Sequence, residues 1–188
     1  MRAALIAIMV LLLPAALVAG HSQTMGIWFD YRAGMTYSPM PHESFIGYVY
    51  ADNASCYLNA VEFGVSSLPP TVYYDGFEVP PGSLVIGDPV TQGGVAITYF
   101  PPLNGYYPGY NELCKLYFTA EEDWCTDFGG TLWQLPLAIV PHVETGLVQG
   151  ACFPEGNLIN FIGLTSILCP EHPISVKSQS WGAIKSLF

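Results

Sequence analysis

Positive charge is scarce in this chain: five Lys and Arg stand against fifteen Asp and Glu, a formal net charge of −10. A surface of that sign is a poor match for nucleic acid or an anionic membrane, both of which call for basic residues. Charge of either sign is thin, at 11% of residues, so Ser, Thr, Asn, Gly and Tyr must carry much of the solubility. Long stretches of 3.6-residue periodicity are missing, which argues against a helical architecture. The signatures of common chemistries are missing too. There is no G-x-S-x-G elbow, no glycine-rich phosphate or dinucleotide loop and no H-E-x-x-H, and no Ser stands where a neighbour would activate it. No two cysteines have the two-to-four-residue spacing of a zinc knuckle. Internal repeats, low-complexity tracts and linkers are absent as well, which leaves one domain.

The N-terminus carries the strongest positive signal. Arg2 precedes an uncharged apolar run, Ala3 to Val18, and Val18-Ala19-Gly20 then offers small residues for a peptidase. That order is the n-, h- and c-region plan of a secretory signal peptide, and the run is short for a membrane span. Residues 1–20 are expected to be removed, leaving residues 21–188 as one domain outside the cytoplasm, extracellular or periplasmic. An uncleaved anchor is the alternative, and Pro14 with the small residues after it favours cleavage. Position 21 is His, so no thiol follows Val-Ala-Gly for a lipid anchor. Without Arg2, four cations face fifteen acids, a net charge of −11.

With 12 Tyr, 19 Gly and 16 Pro the composition suits a turn-rich all-β fold. Period-two alternation predicts strands over 25–31, 45–51, 57–65, 71–79, 83–86, 94–100, 112–120, 132–140, 146–152 and 158–167. Phe45, Gly47 and Val49 share one face of their strand. Val61, Phe63 and Val65 point inward from theirs, and Cys114, Leu116, Phe118 and Ala120 form the clearest half-buried stripe. Pro69-Pro70, Pro80-Pro81 and Pro101-Pro102 fall between or after strands, where a missing amide donor does least harm. About ten strands with turn signals at short intervals predict a two-sheet antiparallel β-sandwich. A short C-terminal helix capped by Ser180, carrying Trp181, Ile184 and Leu187, is expected to cover a sheet edge.

Five cysteines in an oxidising compartment imply disulfides, with at least one thiol left over. Spacing leaves connectivity open. The pairing adopted is Cys152–Cys169 and Cys114–Cys125, each closing a short loop worth about 3 kcal/mol in the chain-entropy model. Cys56 is then free and offers a route to an oligomer.

Four segments in succession carry a resemblance: LNAVEFGVSSLPPTV (58–72), PPGSLVIGDPV (80–90), GGVAITYF (93–100) and NELCKLYFTA (111–120). They resemble the cohesin-like and carbohydrate-module-like β-sandwiches of secreted bacterial proteins. GIWFD (26–30) and WGAIK (181–185) resemble segments of uncharacterised exported bacterial proteins. The resemblance covers residues 25–120 and the tail, in short motifs, and implies a cohesin-like or Ig-like jelly-roll sandwich. Cohesins dock a calcium-binding partner module, so it also implies an extracellular protein partner. The Tyr-Asp-Pro that closes the second motif of the cohesin pattern is absent, with Tyr74-Asp75-Gly76 standing nearby.

Among candidate sites, Glu121, Glu122, Asp123 and Asp127 form the densest acidic cluster, beside Trp124 and Cys125. Calcium is the one cofactor they suggest, although consecutive carboxylates diverge and a solvated loop is the plainer reading. The same carboxylates would serve a glycosidase only if two stood about 5–10 Å apart in a cleft. His142 and Glu144, with Glu171 and His172, make a nonspecific His-x-Glu and Glu-His set. Tyr106, Tyr107 and Tyr110, with Trp124, are the candidate ligand-binding residues, since aromatic faces stack on sugars and anchor protein interfaces. Trp133 is better placed in the core, and Asn53-Ala54-Ser55 is a formal glycosylation sequon. The expected function is a secreted, non-catalytic module that presents a surface to an extracellular protein. A carbohydrate-binding module comes next, and a glycoside hydrolase third.

Overall fold

A computed structural model describes residues 23–29, 34–40, 42–52, 54, 56–69, 72–104, 111–121 and 135–168. They form thirteen strands: β1 (Thr24–Trp28), β2 (Thr36–Tyr37), β3 (Ser44–Asp52), β4 (Tyr57–Val65), β5 (Val72–Glu78), β6 (Leu84–Asp88), β7 (Gly94–Asn104), β8 (Asn111–Ala120), β9 (Leu135–Val140), β10 (Gln149–Phe153), β11 (Leu158–Asn160), β12 (Ile162–Gly163) and β13 (Thr165–Leu168). No helix occurs among the described residues. The expected signal peptide over 1–20 and the tail from Ser180 lie outside them.

Alternation decides which side chains are buried. Phe45 and Val49 on β3, Val61, Phe63 and Val65 on β4, and Cys114, Leu116, Phe118 and Ala120 on β8 all enter one core. Each fully buried Leu, Val or Phe contributes about 1.5–3 kcal/mol, which drives the two sheets together. The smaller sheet has the order β12-β1-β3-β8-β5. In the larger one, β4 pairs with β7 on one side, and β7 pairs with the edge strand β6. On the other side of β4 lies β10, followed by β11. β9 takes over beside β4 at Gly64 and Val65 and leads on to β13 and β2. Thus β9 and β10 are two halves of one line, interrupted by the excursion 141–148.

The chain departs from a purely antiparallel sandwich in two places, because β12 runs parallel to β1 and β13 parallel to β2. The single strand expected over 158–167 is instead three short pieces that change sheets. Ile162 N–H donates to Gln23 O at 2.9 Å and Leu164 N–H to Met25 O at 2.8 Å, while Ile139 N–H donates to Leu164 O at 3.1 Å. Residues 162–164 therefore join both sheets and close that side. Pro101-Pro102 also differ from expectation, lying inside β7 and not after it. Leu58 faces Leu103 but Ala60 faces Thr98, so the extra residues around the prolines bulge out of the ladder where no amide donor is needed.

The cysteine pairing is corrected. Cys56 bonds to Cys152, with Cα atoms 5.6 Å apart. Leu58 is in register with Cys152, so β10 carries it back to the start of β4, next to Cys56. Neither the expected Cys152–Cys169 bond nor a free Cys56 is compatible with that bridge. Cys114 is a free, buried thiol, which rules out the expected bond to Cys125. Its enclosure also removes it as a route to an oligomer. Cys125 and Cys169 lie outside the described residues.

Candidate functional site

Most of the residues singled out from sequence fall outside the described residues: Tyr106, Tyr107, Tyr110, Trp124, Trp133, Asn53, Glu122, Asp123, Asp127, Glu171 and His172. Glu121 is described, exposed at the end of β8. It holds the hydroxyl of Tyr73, and that hydrogen bond raises the phenol above its usual value. Among the described residues no three His, Cys, Asp or Glu side chains come together as a metal site. His142 does meet a partner, Glu62 of β4, which the sequence did not single out, and Glu144 donates its amide to His142.

The surface around Glu62 is the outer face of the larger sheet. Strand register aligns Leu84, Thr98, Ala60, Ala151 and Leu158 in one row across β6, β7, β4, β10 and β11. Ile86, Ala96, Glu62, Gln149 and Asn160 form the next. Ala60, Ala96, Thr98 and Ala151 in the middle leave a shallow groove of about 120 Å³, with Leu158 on one side and Leu84 and Ile86 along the other. Its rims are apolar and lie open to solvent: Leu84 is 60% exposed, Ile86 69% and Leu158 68%. The signal was present in Leu84-Val85-Ile86, where apolar residues fail to alternate with polar ones. One side of β6 must then face water or a partner, while Val85 packs on the core.

The edge strand β6 is held at its far end. Tyr74 of β5 donates its hydroxyl to Asp88 Oδ2 at 3.1 Å, across the open side of the sandwich. Asp88 Oδ1 accepts the amides of Val90 and Thr91 at 2.8 and 2.7 Å. Burial, and then the Asp88 charge, push the Tyr74 phenol up, so it stays a donor at any physiological pH. This turn sets the position of Ile86 against the groove.

Beyond Glu62 the groove opens into a second cavity of about 280 Å³, lined by Glu62, Ile86, Gln92, Ala96, His142, Glu144 and Thr145 among others. The Glu62 carboxylate is only 19% exposed. It accepts the Thr145 hydroxyl on Oε1 and the Gln149 amide on Oε2 at 3.2 Å. His142 Nδ1 stands 3.7 Å from Oε1. The Glu144 amide donates to the same nitrogen at 3.2 Å. The imidazole packs against Gly94, where a Cβ would stand 2.2 Å from His142 Cδ2. Glycine at position 94 is thus what admits the ring. Among the described residues the one Lys or Arg is Lys115, on the smaller sheet beside Glu112 at 3.8 Å.

No family model and no curated relative matches this chain. Solved structures do. A non-cellulosomal cohesin from the hyperthermophilic archaeon Archaeoglobus fulgidus is 13% identical over 80% of this chain and 94% of its own, with a TM-score of 0.50. The sixth cohesin of Acetivibrio cellulolyticus scaffoldin B, solved with the Cel5 dockerin, is 10% identical over 78% and 97%, at 0.52. A type I cohesin from Clostridium thermocellum, solved as a Coh-OlpC–Doc435 complex, is 9% identical over 78% and 94%, also at 0.52. At these identities the likeness concerns the fold, a cohesin-like β-sandwich.

Proposed function

We propose that this cohesin-like sandwich is a non-catalytic module that docks a protein partner on the outer face of its larger sheet. The observation that carries the reading is the groove floored by Ala60, Ala96 and Ala151, with Leu158 on one rim and exposed Leu84 and Ile86 set by strand register along the other side. Rims of this size supply buried anchors on contact, and the small floor lets a partner approach closely. Two of the structurally similar cohesins were solved bound to dockerins, which supports a protein as the ligand here. Export by residues 1–20 would put the encounter outside the cytoplasm, where the Cys56–Cys152 bond is at home.

The test immobilises the purified protein and exposes it to the secreted and cell-surface proteins of its own source. Ile86→Asp and Leu158→Asp serve as comparisons. Both side chains are exposed, so the variants should keep the native thermal midpoint. A partner retained by the native protein should bind each variant about 30-fold more weakly, as expected for an anchor worth about 2 kcal/mol. Equal retention by all three would sink the docking face. Recovery of a polysaccharide in place of a protein would move the reading to a carbohydrate-binding module.

A further inference from the structure

The groove and the cavity beyond it share Glu62 and Ala96, so whatever lies in the first reaches the second. The two parts differ in chemistry. Apart from Thr98, Gln149 and the shared Glu62 the groove is apolar, whereas the cavity centres on the Glu62 carboxylate, whose contacts are a hydroxyl, a primary amide and an imidazole. None of these is a Lys or Arg. Glu144 adds a second carboxylate at the rim, and the described part of this sheet has no Lys or Arg. The whole chain is strongly acidic as well.

We infer that the partner carries an arginine or lysine next to its apolar contact strip, and that this basic side chain enters the cavity between Glu62 and Glu144. The inference rests on the docking reading above and names the chemistry of the partner. Ile86 and Ala96 form the apolar wall along which the aliphatic stem would lie, as long basic side chains bury their stems and keep the charged head on polar atoms. A water takes about 30 Å³ of liquid, so 280 Å³ holds a guanidinium together with part of its stem. Docking would seal the pair from water, where a charge-assisted bond counts for more than on an open surface. The acidic surface around it would steer a basic segment toward the site and make association sensitive to salt.

The experiment selects binders to the purified protein from a displayed library of random twelve-residue peptides. Each is then measured by calorimetry against the native protein, Ile86→Asp, Glu62→Gln and Glu144→Gln. Glu62→Gln keeps the shape of the side chain and its contact with Thr145, and circular dichroism with thermal melting checks that it folds. Peptides that lose affinity on Ile86→Asp should contain Lys or Arg and bind Glu62→Gln at least tenfold more weakly. Replacing their arginine with citrulline, an uncharged isostere, should cost the same factor on the native protein and little on Glu62→Gln. Peptides that need Ile86 but are indifferent to Glu62, Glu144 and citrulline would overturn the basic side chain and leave the docking face standing. Binders indifferent to Ile86→Asp would overturn the docking face, and this inference with it.

Discussion

Cys114 lies in the middle of β8 with its thiol enclosed by the core. Burial, and secondarily the charge of Glu112, push its pKa well above the usual thiol range. Because the folded value is raised, the stability contributed is complete below the ordinary thiol pKa of about 8.5 and is lost as pH rises beyond it. The thiolate is the reactive form, so iodoacetamide at pH 8 should leave Cys114 unmodified in the folded protein and alkylate it after unfolding. Peptide mass spectrometry reads the result, and rapid labelling of the native state would contradict the enclosure. Alternation along 114–120 told which way this side chain points, but which thiols meet was not written in that stripe. Ser166 is a similar case. It is fully buried and donates its hydroxyl to Ile27 O, linking β13 to β1, yet in the sequence it is one more serine. Glu62 likewise alternates with inward Val61 and Phe63, and the neighbours that give it a role, Thr145 and Gln149, come more than seventy residues later.

At the scale of elements, the long alternating strands β3, β4 and β8 could be read within a residue or two, because each buries one full face. The failures are the short ones. β2 has two residues and β12 two, too few to show a period. β12 matters most, since it joins the sheets where Gly163 passes Ile139 so closely that a Cβ would stand 2.2 Å from its carbonyl oxygen. Backbone cannot yield there as a flexible side chain can. Gly163→Ala should therefore destabilise the protein by about 1–3 kcal/mol, the usual cost of overpacking, with β12 pushed off one sheet. Urea unfolding measures the loss, and a native midpoint would mean that the seam tolerates a side chain. In β7 the strand continues through Pro101-Pro102 because a bulge absorbs them, which proline content alone argued against.

For the molecule as a whole, the Cys56–Cys152 bond spans 96 residues, while β4 and β10 already pair directly beside it. A loop of that length is worth about 4.7 kcal/mol in the chain-entropy model, against about 3 for the short loops that spacing suggested. Replacing both cysteines with serine should lower the unfolding free energy by about 2–5 kcal/mol, read by denaturant unfolding. The docking groove should survive in that variant at temperatures below its melt, because its rims are held by the β6–β7 and β10–β11 pairs. An unchanged midpoint would show that the bond adds nothing to the paired strands. The excursion 141–148 belongs to this scale too, since it brings His142, Glu144 and Thr145 to a strand from the first half of the chain.

What the linear chain settled by itself was the all-β class, the inward stripes of the long strands and the acidic surface, because each depends on residue type and local period alone. The tertiary structure decided which strands are neighbours, and everything that follows from neighbourhood: Cys56 meeting Cys152, residues 162–164 closing the sandwich, and Glu62 meeting His142. Hydrophobic alternation is indifferent to partner, so it sorts side chains into inside and outside without choosing what lies alongside. The groove arose the same way, from Ala60, Ala96, Thr98 and Ala151 on three central strands falling into register between Leu84, Ile86 and Leu158 on two outer strands.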